Sequence, residues 1–273
     1  MTFSYPDAAR PALADISFQV EKGEMIAVVG ANRSGKSTLC YAIAGVVPHF
    51  YHGKFRGQVR IGEKTTSEYT VAQLARSVGL VLQIPGNQLS GVRSTVFEEV
   101  AFGLENMGVK REKIYERVMA VLELTGLESF SSRSPYHLSG GEQQRLALAA
   151  VLAISPDILA LDEPTTFLDP DGTRQVYDIL HQLRCQGKTI IVAEQRLEWI
   201  ALYADRVIVL DSGRMVLQGS PAKVLTDPKL REAGLEWMPY TEAAVLGKKQ
   251  GVWPEERELP VSFADAVDGF SAS

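Results

Sequence analysis

The chain has 273 residues, enough for one or two domains and a sizeable hydrophobic core. With 45% hydrophobic and 22% charged residues it is neither collagen-like, coiled-coil nor wholly disordered, and its net charge of −5 gives no reason to predict nucleic-acid binding. Its two cysteines suggest neither a disulfide framework nor a zinc site, and the absence of apolar runs of ~18 residues or a signal peptide predicts a soluble intracellular protein.

Apolar runs of strand length alternate with segments of helical periodicity along the chain. The predicted strands are 25–29, 58–61, 78–82, 158–161, 189–193 and 206–210, the last leading through a hairpin turn into 215–217. The predicted helices are 36–45, 95–106, 110–125, 139–152, 172–186 and 197–203. This order predicts an α/β core with an inserted helical subdomain at about 84–152, whereas the weakly periodic residues from 239 onward predict a segment with little core of its own.

A glycine-rich loop follows the first buried strand and precedes a predicted helix. Residues 30–37 read GANRSGKS and match G-x-x-x-x-G-K-[ST] at every fixed position. Such a loop turns many backbone N–H groups and a helix N-terminus toward phosphates, with Lys36 reaching the β- and γ-phosphates and the Ser37 hydroxyl available to Mg²⁺. The predicted nucleotide-binding residues here are Gly30, Ala31, Asn32, Arg33, Ser34, Gly35, Lys36, Ser37 and Thr38.

Two carboxylates end the apolar run 158–161. We expect Asp162 to hold Mg²⁺ and Glu163 to act as the general base, or to polarise the attacking water. Together with Lys36 this pair favours hydrolysis of a nucleoside triphosphate over binding alone.

The sequence LSGGEQQR at 138–145 resembles the signature motif of ATP-binding cassette (ABC) ATPases, and it lies before Asp162 as that family requires. The resemblance runs from about residue 3 to 228 and implies a P-loop NTPase core of the ABC type, with an N-terminal antiparallel β portion and the inserted helical subdomain. It also implies that two cassettes pair head to tail, so that the signature faces the nucleotide of the partner. The signature residues given this role are Ser139, Gly140, Gly141 and Glu142.

The resemblance carries over to four further positions. It implies that Tyr5 stacks on adenine, that Gln83 contacts Mg²⁺ and senses a membrane partner, and that Asp169 contacts the opposing cassette. At the switch position, where the family has a catalytic histidine, this chain has Gln195, or Glu194 if the alignment shifts by one. Because an amide carries neither the proton nor the charge of an imidazole, we expect a weakened γ-phosphate sensor, with catalysis surviving in part through Glu163.

Other stretches resemble the energy-coupling-factor (ECF) branch of vitamin and metal importers. They are PHFYHG at 48–53, VFEEVAFGLEN at 96–106 and EQRLE at 194–198. The resemblance implies a second cassette ATPase, identical or different, a transmembrane coupling protein and a substrate-binding membrane protein, with this chain at the cytoplasmic face of the membrane. Residues near Gln83, including Leu89 and Val92, either receive the coupling protein or complete the core of the helical subdomain.

Three alternatives stay open at this point. A regulatory cassette without turnover would be consistent with Gln195, and a non-transport ABC ATPase would share the same motifs. The third alternative is a metal site formed by His49 and His52; the competing interpretation is that both histidines belong to an ordinary surface loop. We expect a nucleotide-binding domain over 1–228 and a tail or linker over 229–273, and because few residues precede Tyr5 we expect a partial first strand.

Overall fold

A six-stranded sheet lies at the centre of the structure, a computed structural model that describes residues 1–271. The strands are β1 Thr2–Ser4, β2 Met25–Val29, β3 Lys54–Arg56, β4 Arg60–Ile61, β5 Lys64–Thr65, β6 Val78–Val81, β7 Ile158–Asp162, β8 Thr189–Ala193, β9 Arg206–Asp211 and β10 Arg214–Gly219. The α-helices are α1 Lys36–Ile43, α2 Val46–His49, α3 Val71–Leu74, α4 Val96–Asn106, α5 Arg111–Leu124, α6 Gly140–Ile154, α7 Pro170–Cys185, α8 Leu197–Tyr203, α9 Pro221–Val224, α10 Lys229–Glu232, α11 Pro239–Gln250 and α12 Phe263–Ser271.

The strand order of the central sheet is β10-β9-β2-β8-β7-β6, and only the β9–β10 pair is antiparallel. Strands β2 and β8 are buried along their whole length, as parallel strands covered by helices on both faces are. Two small antiparallel pairs, β1 with β3 and β4 with β5, form the N-terminal β portion. The predicted strand 58–61 shortens to β4, and most other predicted elements shift only by one to three residues at their ends.

The register of the parallel strands brings their carboxyl ends to one edge of the sheet. Ala193 at the end of β8 pairs with Val28 of β2 on one side and with Asp162 of β7 on the other. The phosphate loop (residues 30–37), the carboxylate pair (Asp162 and Glu163) and Gln195 after β8 therefore leave the sheet side by side, where ligands bind in open α/β sheets. Residue Gln83 follows the neighbouring strand β6 at the same edge.

Three groups of buried side chains stabilise the fold. Two cover opposite faces of the sheet, and the third lies within the helical subdomain between α4, α5 and α6. Helix α6 belongs to both layers, because Leu146 faces the subdomain core while Leu148 and Val151 pack on the sheet. The subdomain is thus anchored to the sheet through one shared helix.

The prediction that residues from 239 onward have little core of their own is wrong. These residues form α11 and α12, with Trp253 buried between them in edge contact with Phe270 at 5.0 Å. The sequence contains no signal of this core, because the buried positions of α11 are the small or polar residues Thr241, Ala244 and Gly247, which show no apolar periodicity. The boundary at 228/229 and the duty of this segment stay predictions.

Within residues 1–271, no helix combines the length and the apolar character needed to cross a lipid bilayer.

Candidate functional site

The phosphate loop connects β2 to α1 in a conformation that requires glycine. Gly35 stands at the N-cap of α1 with φ 109°, and a Cβ atom there would lie 2.6 Å from the carbonyl oxygen of Ala12. A Cβ atom on Gly30 would lie 2.2 Å from the carbonyl oxygen of Leu210. No side chain caps α1, so the backbone N–H groups at its start stay available to an anion.

Lys36 is buried and folds back over this loop. Its Nζ donates to the carbonyl oxygens of Gly30 at 2.8 Å and Ala31 at 3.2 Å, and lies 3.8 Å from Oε1 of Glu163. The ammonium group is thus held at the junction of the phosphate loop and the carboxylate pair.

Asp162 and Ser37 meet at the buried side of the site. The Ser37 hydroxyl donates to Oδ1 of Asp162 at 2.9 Å. Burial raises the pKa of the Asp162 carboxyl to about 6, the Glu163 charge adding to the rise, while the Ser37 hydrogen bond and the Lys36 charge oppose it. One hydroxyl and one carboxylate are the oxygen ligands Mg²⁺ takes beside waters and substrate phosphates, so the residues present suit this ion. No cluster of three or more His, Cys, Asp or Glu residues suited to a metal occurs within the described part of the chain.

Glu163 receives hydrogen bonds from side chains of three segments. Gln83 Nε2 donates to its Oε2 at 2.7 Å, Gln195 Nε2 to its Oε1 at 2.5 Å, and the Thr166 hydroxyl to its Oε2 at 3.3 Å. Its backbone has φ 48°, in the left-handed region. The carboxylate is therefore fixed beside the phosphate loop, where it can accept a proton from a water or orient it.

The structure brings Gln195 to Glu163, and it turns Glu194 away. Gln195 also reaches the phosphate loop, where its Nε2 donates to Oδ1 of Asn32 at 3.0 Å. Glu194 is buried and accepts hydrogen bonds from the Thr165 hydroxyl and, at 2.8 Å, from the backbone N–H of Gln195. Of the two candidates for the switch position, Gln195 is the one in contact with the site.

A cavity of about 540 Å³ opens above these groups. Its lining residues are Tyr5, Ala12, Asn32, Arg33, Gly35, Lys36, Ser37, Thr38, Gln83 and Glu163. Tyr5 is half-buried at one end, with its hydroxyl 3.2 Å from that of Thr38 and its ring in edge contact with Phe3. Tyr5, Glu163 and most of the predicted phosphate-loop residues thus line one cavity, whereas Asp162 is not among its lining residues and contacts it through Ser37.

The predicted signature residues 139–142 and Asp169 lie outside this cavity, at the starts of two helices. Ser139 caps α6, where its hydroxyl accepts from the N–H of Glu142 and the Glu142 carboxylate accepts from the N–H of Ser139 at 2.7 Å. Hydrogen bonds to its carboxylate from the backbone N–H and the side chain of Ser139 lower the pKa of Glu142. Asp169 caps α7 by accepting from the N–H of Gly172 at 2.7 Å. Gly140 and Gly141 form the first turn of α6 and leave its end open to solvent or to a partner.

Sequence reasoning missed the hydrogen-bond network behind Gln195. The Arg196 guanidinium donates to the hydroxyl of Thr173 at 2.7 Å and to the carbonyl of Leu168 at 3.3 Å, which ties the segment after β8 to the segment after β7. The sequence could have predicted this contact only from the positions of these residues, which follow the carboxyl ends of the neighbouring strands β7 and β8.

The structure places Leu89, Val92 and His49, for which the sequence left two interpretations open. Leu89 packs against the core of the helical subdomain, whereas Val92 is exposed. The His49 ring lies 3.0 Å from the carbonyl oxygen of Thr66, a backbone contact.

Comparison with known proteins gives consistent matches. Residues 13–166 match the family model described as ABC transporter. The energy-coupling factor transporter ATP-binding protein EcfA1 of Levilactobacillus brevis is 40% identical over 98% of this chain and 92% of its own. The structure of CbiO1 from Clostridium perfringens, part of the ABC transporter complex CbiONQ, superposes with a TM-score of 0.72 at 33% identity, covering 85% of this chain and 91% of that one.

A dimeric cassette, MJ0796 in a post-hydrolysis state with ADP and Pi, superposes with a TM-score of 0.71 at 26% identity, over 81% of this chain and 95% of that one. These matches confirm the predicted family and the P-loop α/β fold.

Proposed function

The chain belongs to the ABC transporter family as an ATP-hydrolysing cassette, and from that premise we propose that it drives an importer of the energy-coupling-factor type. The observation that carries the catalytic part is the position of Glu163, held by two amides, 3.8 Å from Lys36, at the wall of the phosphate-loop cavity. In this role Glu163 takes a proton from the attacking water, or orients it, while Lys36 and the loop N–H groups hold the phosphates.

The proposed nucleotide site extends from Tyr5, against adenine, to the phosphate loop. Ser37 and Asp162 would hold Mg²⁺, with Gln83 beside them. The ion, when bound, neutralises charge on the phosphate oxygens.

We place Ser139 and the following glycines against the nucleotide of a second cassette, in a head-to-tail dimer. Support comes from their exposure at the start of a 15-residue helix, outside the cavity of their own chain, and from the similarity to a dimeric cassette. Asp169, exposed at the start of α7, would contact the same partner. Whether the two cassettes are identical is decided by the subunit composition of the purified complex.

A vitamin or a metal ion is the proposed cargo, carried by a substrate-binding membrane protein together with a transmembrane coupling protein. The relatives named energy-coupling factor transporter ATP-binding proteins support this type of importer, and the class of cargo is what the resemblance of the sequence implies. The chain would then lie peripherally at the cytoplasmic face of the membrane. The test is ATP-dependent uptake into vesicles that contain this chain and the membrane proteins encoded beside it; neighbouring genes for DNA repair would contradict the transport role.

The proposed docking site for the coupling protein is a second cavity of about 540 Å³ beside Gln83. Phe50 and Ile84 line it and are 73% and 50% exposed, more than a side chain of the core would be. We expect Ile84→Asp to abolish co-purification with the coupling protein. The matched variant Leu202→Asp, at an exposed position of α8, should leave co-purification intact. Unchanged co-purification of Ile84→Asp contradicts this docking site.

A cassette of low activity that regulates a more active partner is the second candidate function. The hydrogen bond from the Gln195 amide to Glu163 favours this regulatory function, because the amide donates to the carboxylate but cannot exchange a proton with it. Turnover of the complex in which only this chain carries Glu163→Gln separates the two, since unchanged turnover assigns hydrolysis to the partner.

A further inference from the structure

One phosphate-loop residue has a backbone conformation that its side chain makes unfavourable. Among residues 1–271, six non-glycine residues have positive φ, and four of them are Asp or Ser: Asp7, Asp15, Ser155 and Ser212. The other two are Glu163 at 48° and Arg33 at 67°. Aspartate enters this region more readily than long side chains do, so Glu163 and Arg33 are the unusual members.

Both unusual residues line the same cavity. Strained backbone conformations persist where the surrounding structure fixes them, and they cluster at sites of function. For Glu163 the function is the proposed proton transfer. For Arg33 the loop motif predicts a backbone contact with phosphate but no role for the side chain, because its four central positions accept any residue. A glycine at position 33 would adopt φ 67° without strain.

In the part of the chain that the structure describes, two cationic residues line the cavity, Lys36 and Arg33, and only Lys36 is engaged by neighbouring groups. Lys36 is engaged by two carbonyl oxygens and lies 3.8 Å from the carboxylate of Glu163. The Arg33 side chain is exposed at the rim, and no ion pair involves it within the described part of the chain. A guanidinium that faces an open cavity presents N–H donors in a planar fork that matches phosphate oxygens.

We propose that the Arg33 side chain binds the polyphosphate of the nucleoside triphosphate in this cavity, as a second cation beside Lys36. This proposal rests on the proposed function of the cavity. A triphosphate carries several negative charges, whereas Lys36 is partly neutralised by Glu163, so a further cation at the rim improves the charge balance. The guanidinium is thus placed at the rim by a residue whose backbone is strained, whereas a glycine at position 33 would adopt the same φ without strain.

The experiment compares affinity and stability in the full-length chain. Dissociation constants for ATP and for adenosine are measured for the parent, Arg33→Gly, Arg33→Lys, Lys36→Ala and Arg111→Ala, together with the melting temperature without nucleotide. Arg111→Ala is the matched control, because it removes the same charge from an exposed position outside the cavity.

We expect Arg33→Gly to weaken ATP binding about tenfold, as the loss of one charge-assisted contact does, and to leave adenosine binding unchanged. Its melting temperature without nucleotide stays equal or rises, because glycine relieves the backbone. Arg33→Lys loses less affinity than Arg33→Gly, since the charge remains and the fork is lost. Arg111→Ala binds ATP as the parent does.

Three outcomes overturn the proposal: ATP affinity of Arg33→Gly within twofold of the parent, equal losses for ATP and adenosine, or a lower melting temperature that accompanies the lost affinity. If ATP affinity is unchanged, reduced turnover of the assembled complex points instead to contact of Arg33 with an acidic group of a partner cassette. A parent chain that binds no ATP, or a Lys36→Ala chain that binds it normally, contradicts the proposed function itself and the Arg33 proposal with it.

Discussion

Helices α1 and α6 both have glycine at their starts, where backbone N–H groups suit an anion, but the surroundings of the two starts differ. Helix α1 begins at an uncapped Gly35, inside a cavity that also contains Lys36 and Glu163. Helix α6 begins at an exposed Ser139, which forms reciprocal hydrogen bonds with Glu142. The first terminus has its cation and carboxylates around it, and the second has only its own cap. This difference supports our proposal that the chain holds one complete phosphate site and one half-site that a partner cassette completes.

The largest effect is expected at the carboxylate of the complete site. Glu163→Gln should lower ATP turnover by about 10²–10⁴-fold, because the amide cannot accept a proton from water. ATP affinity should persist, since Lys36 and the loop N–H groups remain. Phosphate release and equilibrium binding measure the two quantities separately. Loss of binding together with turnover would show that Glu163 holds the site together instead of acting in the chemistry.

Lys36→Ala should weaken ATP binding about 10–100-fold, the effect of removing a buried cation from a charged ligand. Titration calorimetry with the purified chain measures this. The control is Lys188→Ala, whose lysine pairs with Asp157 away from the cavity and should leave the affinity unchanged. Normal binding by Lys36→Ala would remove the distinction between the two helix termini.

Alanine should lower the free energy of unfolding by different amounts at the two helix starts. Gly35→Ala should cost about 2 kcal/mol or more, because it combines φ 109° with a Cβ atom 2.6 Å from a carbonyl oxygen. Ser139→Ala should cost about 1 kcal/mol, the usual loss of an N-cap. Urea unfolding of the two variants measures both, and a larger loss for Ser139→Ala would contradict the geometry.

The smallest effect is expected at the switch position. Gln195→His should raise the turnover of the assembled complex roughly two- to tenfold, because an imidazole can exchange a proton at the site and an amide cannot. Steady-state phosphate release is the measurement, with melting temperature as the check on folding. An unchanged rate in a normally folded variant would show that Gln195 does not limit catalysis.

The sequence predicted the sheet edge well because its signals are local. The apolar runs of β2, β7 and β8 are bounded by GANRSGKS, Asp162 and Gln195, so strand positions and site residues were readable together. Parallel pairing then brings the ends of these runs together.

The remainder depends on contacts that no local pattern records. The fold of residues 239–271 depends on the Trp253 ring entering a space left by Gly269 of α12, where a Cβ atom would lie 2.1 Å from the ring. The inward turn of Glu194 depends on Thr165, 29 residues away in the chain. The left-handed backbone of Arg33 is fixed by a loop whose motif would accept any residue there.

We propose that the starts of α1 and α6 bind the phosphates of nucleotides held by different chains. The most direct test measures, for Ser139→Ala and Lys36→Ala, both the ATP affinity of the purified chain and the ATP turnover of the assembled complex. We predict that Lys36→Ala loses affinity in the purified chain, whereas Ser139→Ala keeps parental affinity there and loses turnover only in the complex. An equal loss of single-chain ATP affinity in the two variants would contradict the claim.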